Sequence, residues 1–401
     1  MRYYIIAGEA SGDLHGSNLI RELHKTDASA TIRCWGGDKM QAAGATLVKH
    51  YRELAFMGFT EVLKNLRTIF RNLDHCKKDI LEYKPDTLIL IDYPGFNLRI
   101  AQWAKQQGLR VIYYISPQVW AWKENRVKMM KQCIDKMIVI LPFEKDYYKN
   151  KWNWEVEYVG HPLVEVVDQF RVQSRATPNS RLPTPDSQLP TPDSQLLTLN
   201  SKLLTPNSQL IALLPGSRKQ EILKKLPIML QVAAHFPEYQ FVVAKAPGVD
   251  ENFYKALLAS YSNVSSLANK TYELLSRARA ALVTSGTATL ETALFGVPEV
   301  ICYKGNALSY QIAKRLIRIK FIGLVNLIMN KEVVKELIQD KLTPKNLEFE
   351  LKELLSNPTR QKQVQEDYAA LKELLGKGGH ASSNAAKSIY GFLKGELILD
   401  T

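Results

Sequence analysis

Cysteine is scarce in this chain. Cys34, Cys76, Cys133 and Cys302 lie far apart, with no CxxC pair and no histidine at metal-ligand spacing. That pattern excludes a disulfide-stapled scaffold and offers no metal site; it fits reduced, mostly buried thiols of a cytoplasmic protein. No apolar run approaches the roughly 20 residues that span a bilayer, so any membrane contact is expected to be peripheral. Both GxGxxG and the Lys-Ser/Thr of a P-loop are missing from the strand ends. Acidic residues are in deficit: 40 Asp plus Glu face 53 Lys plus Arg, a formal charge of +13. Such an excess suits an anionic partner, whether nucleic acid, an anionic membrane or a phosphorylated substrate. A generally basic surface with no dedicated partner is the alternative. The opening MRYYIIAGEASGD enters a strand at once and is expected to carry no signal peptide.

What is present is enough for two domains with full cores: 401 residues, 46% of them hydrophobic. The organising stretch is Leu88-Ile89-Leu90-Ile91-Asp92-Tyr93-Pro94-Gly95-Phe96-Asn97. Four apolar residues in a row predict a strand buried on both faces, as in a parallel sheet. Pro94 and Gly95 break it, and Asn97 is placed to cap a helix beginning near Leu98. In open parallel sheets ligands bind beyond the carboxyl ends of strands, which puts Asp92 at a functional position. The competing reading makes Asp92 a loop residue that ties down backbone amides.

The chain opens with a strand over 3–7, the turn Gly8-Glu9-Ala10-Ser11-Gly12-Asp13 and a helix from about His15 to His24, the start of an α/β domain. Amides after the two glycines can meet an anionic or hydroxylated ligand, or the glycines can simply serve a tight turn. Phe59, Val62, Leu63, Leu66, Ile69, Phe70 and Leu73 then recur at helical spacing, with Lys64, Arg67 and Arg71 on the same helix. Such a helix lies in a membrane interface or turns its apolar face to the core. Trp120 and Trp122 follow a strand over 110–115 and either line a cleft or pack beneath it. His161, before Pro162, reads as a turn residue with satisfied hydrogen bonds. Over 176–210 the chain repeats every seven residues (ATPNSRL, PTPDSQL, PTPDSQL, LTLNSKL, LTPNSQL). Proline at repeated positions forbids a continuous helix, so the repeat is expected to be a disordered or extended insertion. Beyond it the strand–turn–helix grammar restarts. A strand over 211–214 ends in Pro215-Gly216-Ser217-Arg218, and one over 279–283 runs into Thr284-Ser285-Gly286-Thr287. Unpaired amides and a helix dipole there suit a phosphate, and Glu291, one turn beyond Thr287, suits ribose hydroxyls.

The motifs AGEASGD (7–13), LAFMGFTEVL (54–63), IDYPGFN (91–97), YISPQVWAWK (114–123), LPFEK (141–145), LLPGSR (213–218), TSGTATLE (284–291) and AKRLIRIKFIGLVNLI (313–328) run in order along nearly the whole chain. Together they resemble the lipid-A-disaccharide synthase family. The resemblance implies an α/β GT-B fold, two Rossmann-like parallel-sheet domains facing a cleft, with C-terminal helices packing back toward the N-terminal domain. The domains would be 1–170 (acceptor and membrane), 171–210 (the repeat), 211–375 (UDP-sugar) and 376–401 (helical). The implied enzyme is an inverting, metal-independent glycosyltransferase without cofactor. UDP-2,3-diacylglucosamine and 2,3-diacylglucosamine 1-phosphate would give a tetraacyl β-1,6-disaccharide 1-phosphate and UDP. The family works at the cytoplasmic face of the inner membrane, in contact with anionic lipid and not with nucleic acid, and a homodimer is compatible with it. Asp92 takes the role of base. Glu9, Arg218 and Asn326 are polar cleft residues, and Gly216, Ser217, Arg218, Ser285, Gly286, Thr287 and Glu291 form the UDP side. Phe59, Val62, Leu63, Leu66, Ile69 and Phe70 are membrane or acyl contacts. The chain departs from the family in its heptad repeat, in Gly95 where some members carry an acid, and in Val325 where a proline is familiar. An inactive nucleotide-sugar-binding scaffold and a UDP-sugar epimerase on the same fold are the alternative functions.

Overall fold

The computed structural model describes residues 1–54, 66–176, 209–246, 249–306, 310 and 319–395. The heptad repeat from 177 to 208, together with Phe59, Val62, Leu63, Lys314, Arg315 and Arg318, lies outside them.

The chain divides into two units: residues 1–162 with 374–401, and residues 163–373. The first contains strands β1 (Arg2–Ala7), β2 (Thr31–Gly36), β3 (Thr46–His50), β4 (Thr87–Ile91), β5 (Val111–Tyr114), β6 (Lys136–Val139) and β7 (Glu157–Tyr158). They form one sheet in the order β3-β2-β1-β4-β5-β6-β7, and every pairing is parallel. Parallel neighbours need crossover connections, supplied here by α1 (Ala10–Thr26), α2 (Asp38–Ala42), α3 (Leu66–Tyr83), α4 (Pro94–Gln106), α5 (Arg126–Cys133) and α6 (Pro142–Trp152). Strand β4 sits centrally with Leu88, Ile89, Leu90 and Ile91 all fully buried. Each such side chain contributes about 1.5–3 kcal/mol, which explains why this run occupies the sheet's centre.

The second unit begins with α7 (Pro162–Ala176), whose first residue still belongs to the first unit. Its sheet has the order β10-β9-β8-β11-β12-β13, again all parallel. The strands are β8 (Leu210–Leu214), β9 (Gln240–Lys245), β10 (Val264–Ala268), β11 (Ala280–Thr284), β12 (Glu299–Tyr303) and β13 (Lys335–Ile338). Helices α8 (Lys219–Ala233), α9 (Glu251–Leu258), α10 (Thr271–Leu275), α11 (Thr287–Leu294), α12 (Leu324–Met329), α13 (Pro344–Ser356) and α14 (Pro358–Gly376) alternate with or follow them. The last helix, α15 (Ala381–Lys394), returns to the first unit and packs along α1.

Both sheets reverse their winding direction at one place. In the first it lies between β1 and β4, in the second between β8 and β11. A crevice opens at such a reversal beyond the carboxyl ends of the strands, because the flanking connections leave on opposite faces. Among the described residues no helix is long and apolar enough to cross a membrane.

Candidate active site

Glu9 follows β1 and Asp92 follows β4, so the two carboxylates stand at the first unit's reversal point. The chain turns sharply after Ile91: Asp92 (φ 43°) and Tyr93 (φ 49°) are both left-handed, a costly backbone for residues with a Cβ. Three groups hold it there. The Asn97 amide donates to the carbonyls of Asp92 (2.8 Å) and Ile91 (3.2 Å). The Tyr113 hydroxyl also donates to the Asp92 carbonyl. Gly8 lets the Tyr93 ring approach so closely that a Cβ on residue 8 would lie 2.3 Å from it. The expected Asn97 cap is therefore corrected. Helix α4 starts at Pro94, because proline is preorganised for the first helical position. That leaves Asn97 one turn inside, where its side chain braces the Asp92 turn.

Burial pushes the Asp92 carboxyl up to about 7, and the charge of Glu9 adds to the effect. Glu144, which sequence reasoning passed over, lies buried beyond β6. It accepts from the Leu141 amide (3.0 Å) and the Trp120 indole (3.1 Å), and burial raises it to about 7 as well. Its position three residues after Leu141, directly behind Pro142, is a helix-start signature that could have drawn notice. Trp120 thus packs beneath the strand ends, whereas Trp122 is exposed, with the Lys123 ammonium 4.3 Å from its ring centre. His15 and His161 are both buried, which lowers them to about 4 and about 3. They are neutral imidazoles.

At the reversal point of the second unit lies a cavity of about 250 Å³. Gly216, Ser217, Ser285, Gly286, Thr287 and Glu291 all line it, as do Glu221, Lys245 and Thr284. Gly216 adopts φ +118°, and a Cβ there would come within 2.7 Å of the Glu221 carboxylate. Glu291 is oriented by the Tyr272 hydroxyl, which donates to its Oε1 at 2.9 Å. This partner sits on α10, and no local pattern betrays it. The Thr284 hydroxyl is buried and has no protein partner. Ser285, by contrast, donates to the Ile322 carbonyl at 3.1 Å. Arg218, expected on the UDP side, is the N-cap residue of α8 and is not among the lining residues; its half-exposed guanidinium lies 3.2 Å from Glu221 Oε1.

Asn326 is not placed to touch a ligand. It is fully buried, and its amide donates to the Val334 carbonyl (2.7 Å) and to Glu336 Oε1 (2.9 Å). Its oxygen accepts from the amides of Val333 (2.8 Å) and Val334 (2.9 Å). A carboxamide has two donors and two acceptor sites, so the protein fills all four. That leaves the side chain no hydrogen-bonding capacity for the expected contact with substrate. On α3, Leu73 faces the core, Ile69 is half-buried and Phe70 is 58% exposed. Leu66 opens that helix, but its side chain is outside the description.

Comparison with known proteins agrees with this geometry. A family model described as lipid-A-disaccharide synthetase matches residues 3–390. The lipid-A-disaccharide synthase of Syntrophus aciditrophicus is 39% identical over 391 residues, covering 96% of each chain. Among solved structures, the UDP-GlcNAc 2-epimerase of Neisseria meningitidis bound to UDP-GlcNAc superposes with a TM-score of 0.66 at 13% identity, over 99% of this chain and 100% of that one. The glycosyltransferase of kitacinnamycin gives 0.62 at 14% identity, over 98% and 99%. These two likenesses concern the fold alone, which is of the GT-B type. The match over nearly the full length and the two strand-end sites lead to one assignment: this chain belongs to the lipid-A-disaccharide synthetase family of glycosyltransferases.

Proposed function

We propose that the protein transfers a 2,3-diacylglucosamine unit from its UDP carrier to the 6-hydroxyl of 2,3-diacylglucosamine 1-phosphate, with inversion and without a metal. The observation that carries this reading is Asp92: a carboxylate at the first unit's reversal point, held near pKa 7 by burial and by Glu9. A base with that pKa is half ionised near neutral pH and still strong enough to take a proton.

The acceptor oxygen attacks the anomeric carbon of the donor as its proton passes to Asp92. The bond from that carbon to the diphosphate breaks, and its electron pair leaves with UDP. The incoming oxygen and the leaving diphosphate occupy opposite faces, which gives inversion. Charge grows on the diphosphate as it leaves. Arg218, Lys245 and the amides at the start of α11 are the groups that would stabilise it, and because they are fixed in advance they need little reorganisation. Glu291, oriented by Tyr272, is suited to ribose hydroxyls. The relatives' names support a lipid A role, and the UDP-GlcNAc-bound neighbour supports a nucleotide sugar as a ligand.

Phe70, Arg67, Arg71 and Lys78 surround a shallow groove on α3, together with His75 and a single carboxylate, Asp74. An exposed aromatic among cations suits a peripheral hold on an anionic membrane, at the inner face of the inner membrane. The deciding experiment follows UDP release from the UDP-activated diacyl sugar. UDP formed only when the acylated acceptor is present supports the transferase. A UDP-linked epimer with no net UDP points to an epimerase, and neither product under either condition points to a scaffold.

A further inference from the structure

Next to the Asp92 turn, the first unit contains a second cavity of about 150 Å³ that the chemistry above does not use. Leu54, Ile69, Tyr93 and Phe96 form its apolar wall, with Gly95, the buried Asn72 and the exposed Arg99 also lining it. The wall is rigid. The Tyr93 hydroxyl donates to the Leu54 carbonyl at 3.1 Å, and the Tyr93 ring stacks on Phe96 with centroids 5.9 Å apart. Phe96 stacks in turn on the buried Trp35. Arg99 is tied to the Gly95 carbonyl at 2.8 Å.

A dry apolar cavity of about 150 Å³ is known to accept a benzene-sized guest, so there is room here for about six chain carbons. Tyr93 directly follows Asp92 in the chain. A sugar whose hydroxyl reaches Asp92 therefore brings its own substituents to the cavity's edge. We propose that the cavity takes a segment of one acyl chain of the acceptor sugar, and so sets which acylated acceptors are used. This inference rests on Asp92 as the base at the acceptor site.

Gly95 provides the test. A Cβ added there meets nothing within 4 Å, and the backbone is not left-handed, so Gly95→Leu adds a bulky side chain at the cavity's lining without strain. Acceptors with a graded series of acyl lengths are compared with wild-type and variant protein, both by kcat/KM for UDP release and by calorimetric binding. Each methylene that enters is worth about fourfold in affinity. In the wild type, both quantities should climb steeply with chain length and level off after about six carbons. In Gly95→Leu the ratio of long-chain to short-chain values should fall at least about tenfold. Gly376→Leu, at another open glycine at the end of α14, should leave the series unchanged.

An unaltered ratio in Gly95→Leu overturns the proposal, as does a wild type indifferent to chain length. If the variant instead loses affinity for phosphatidylglycerol vesicles with the ratio intact, the cavity serves bilayer lipid and the proposal also falls. Chain-length-dependent binding that responds to Gly95→Leu, but without UDP release, upholds the cavity and overturns the catalytic reading alone.

Discussion

In the second unit Asn326 Nδ2 lies 2.9 Å from Glu336 Oε1, and the same carboxylate receives the amides of Gly323 (2.9 Å) and Ile322 (3.0 Å). The Ile322 carbonyl accepts from Ser285, which lines the cavity at the second unit's reversal point. Asn326 therefore reaches the cavity through a chain of bonds rather than by contact. Asn326→Ala removes four hydrogen bonds, each worth about 0.5–1.5 kcal/mol, and strands the Val333 and Val334 amides. It should lower unfolding free energy by about 3 kcal/mol or more in urea titration, and raise KM for the UDP sugar more than it lowers kcat. A variant of wild-type stability with turnover abolished would show that Asn326 meets substrate after all.

For Asp92, activity should rise with pH and level off above about 7, because only the ionised form accepts a proton. Glu9→Gln removes a neighbouring negative charge that disfavours ionisation, so the acid limb should move to lower pH. Asp92→Asn should cut kcat about 10²–10⁴-fold with UDP affinity little changed. Stability offers a second readout. The folded pKa lies above the ordinary value of about 3.9, so the wild type loses stability as pH climbs from about 4 to about 7, and the Asn variant escapes that loss.

Arg218→Ala should act differently from Asp92→Asn. A guanidinium that meets the diphosphate before and during departure affects binding and turnover together. KM for the UDP sugar should rise and kcat fall, each by about tenfold. The Arg218–Glu221 pair is half exposed, so its loss should barely change the melting temperature.

Glu299 is fully buried at the start of β12, and among the described residues neither carboxyl oxygen has a hydrogen-bond partner. Burial raises its pKa well above the usual range. Folding then takes up a proton at neutral pH, and stability falls as pH rises above the unfolded value. Glu299→Gln should leave stability near wild type at pH 5 and raise it progressively toward pH 8. The gain is at most about 1.4 kcal/mol per pH unit. Thermal melts across that range decide; a constant offset would mean the carboxyl is ionised throughout.

Phe70→Ser should weaken binding to anionic vesicles about tenfold while sparing the fold, since the ring is mostly exposed. A fall of several degrees in melting temperature, with vesicle binding intact, would assign Phe70 to packing instead.

Some of this was legible in the chain and some was not, for physical reasons. Leu88–Ile91 announces a central strand because burial on both faces leaves no room for polar residues. The Gly216 and Gly286 turns were readable because φ of +118° and +149° favours glycine. Strand β13, Lys-Glu-Leu-Ile, was invisible: it is an edge strand whose Glu336 serves the 322–323 backbone instead of solvent. Asn97 was misjudged because capping propensity competes with a proline three residues earlier, and the proline won. Glu144, Tyr272 and Glu336 escaped because their roles come from burial and partners set by tertiary structure, not by spacing.

Helix α15 packs on α1, yet residues 163–373 are synthesised between the first unit's two pieces. At about 5–20 residues per second, the ribosome takes roughly 10–40 s over that stretch. Throughout this interval residues 1–162 lack the helix that covers α1, and buried positions such as Ile389 and Leu393 have not yet been made. Every residue of the second unit thus leaves the ribosome before the helix that completes the first.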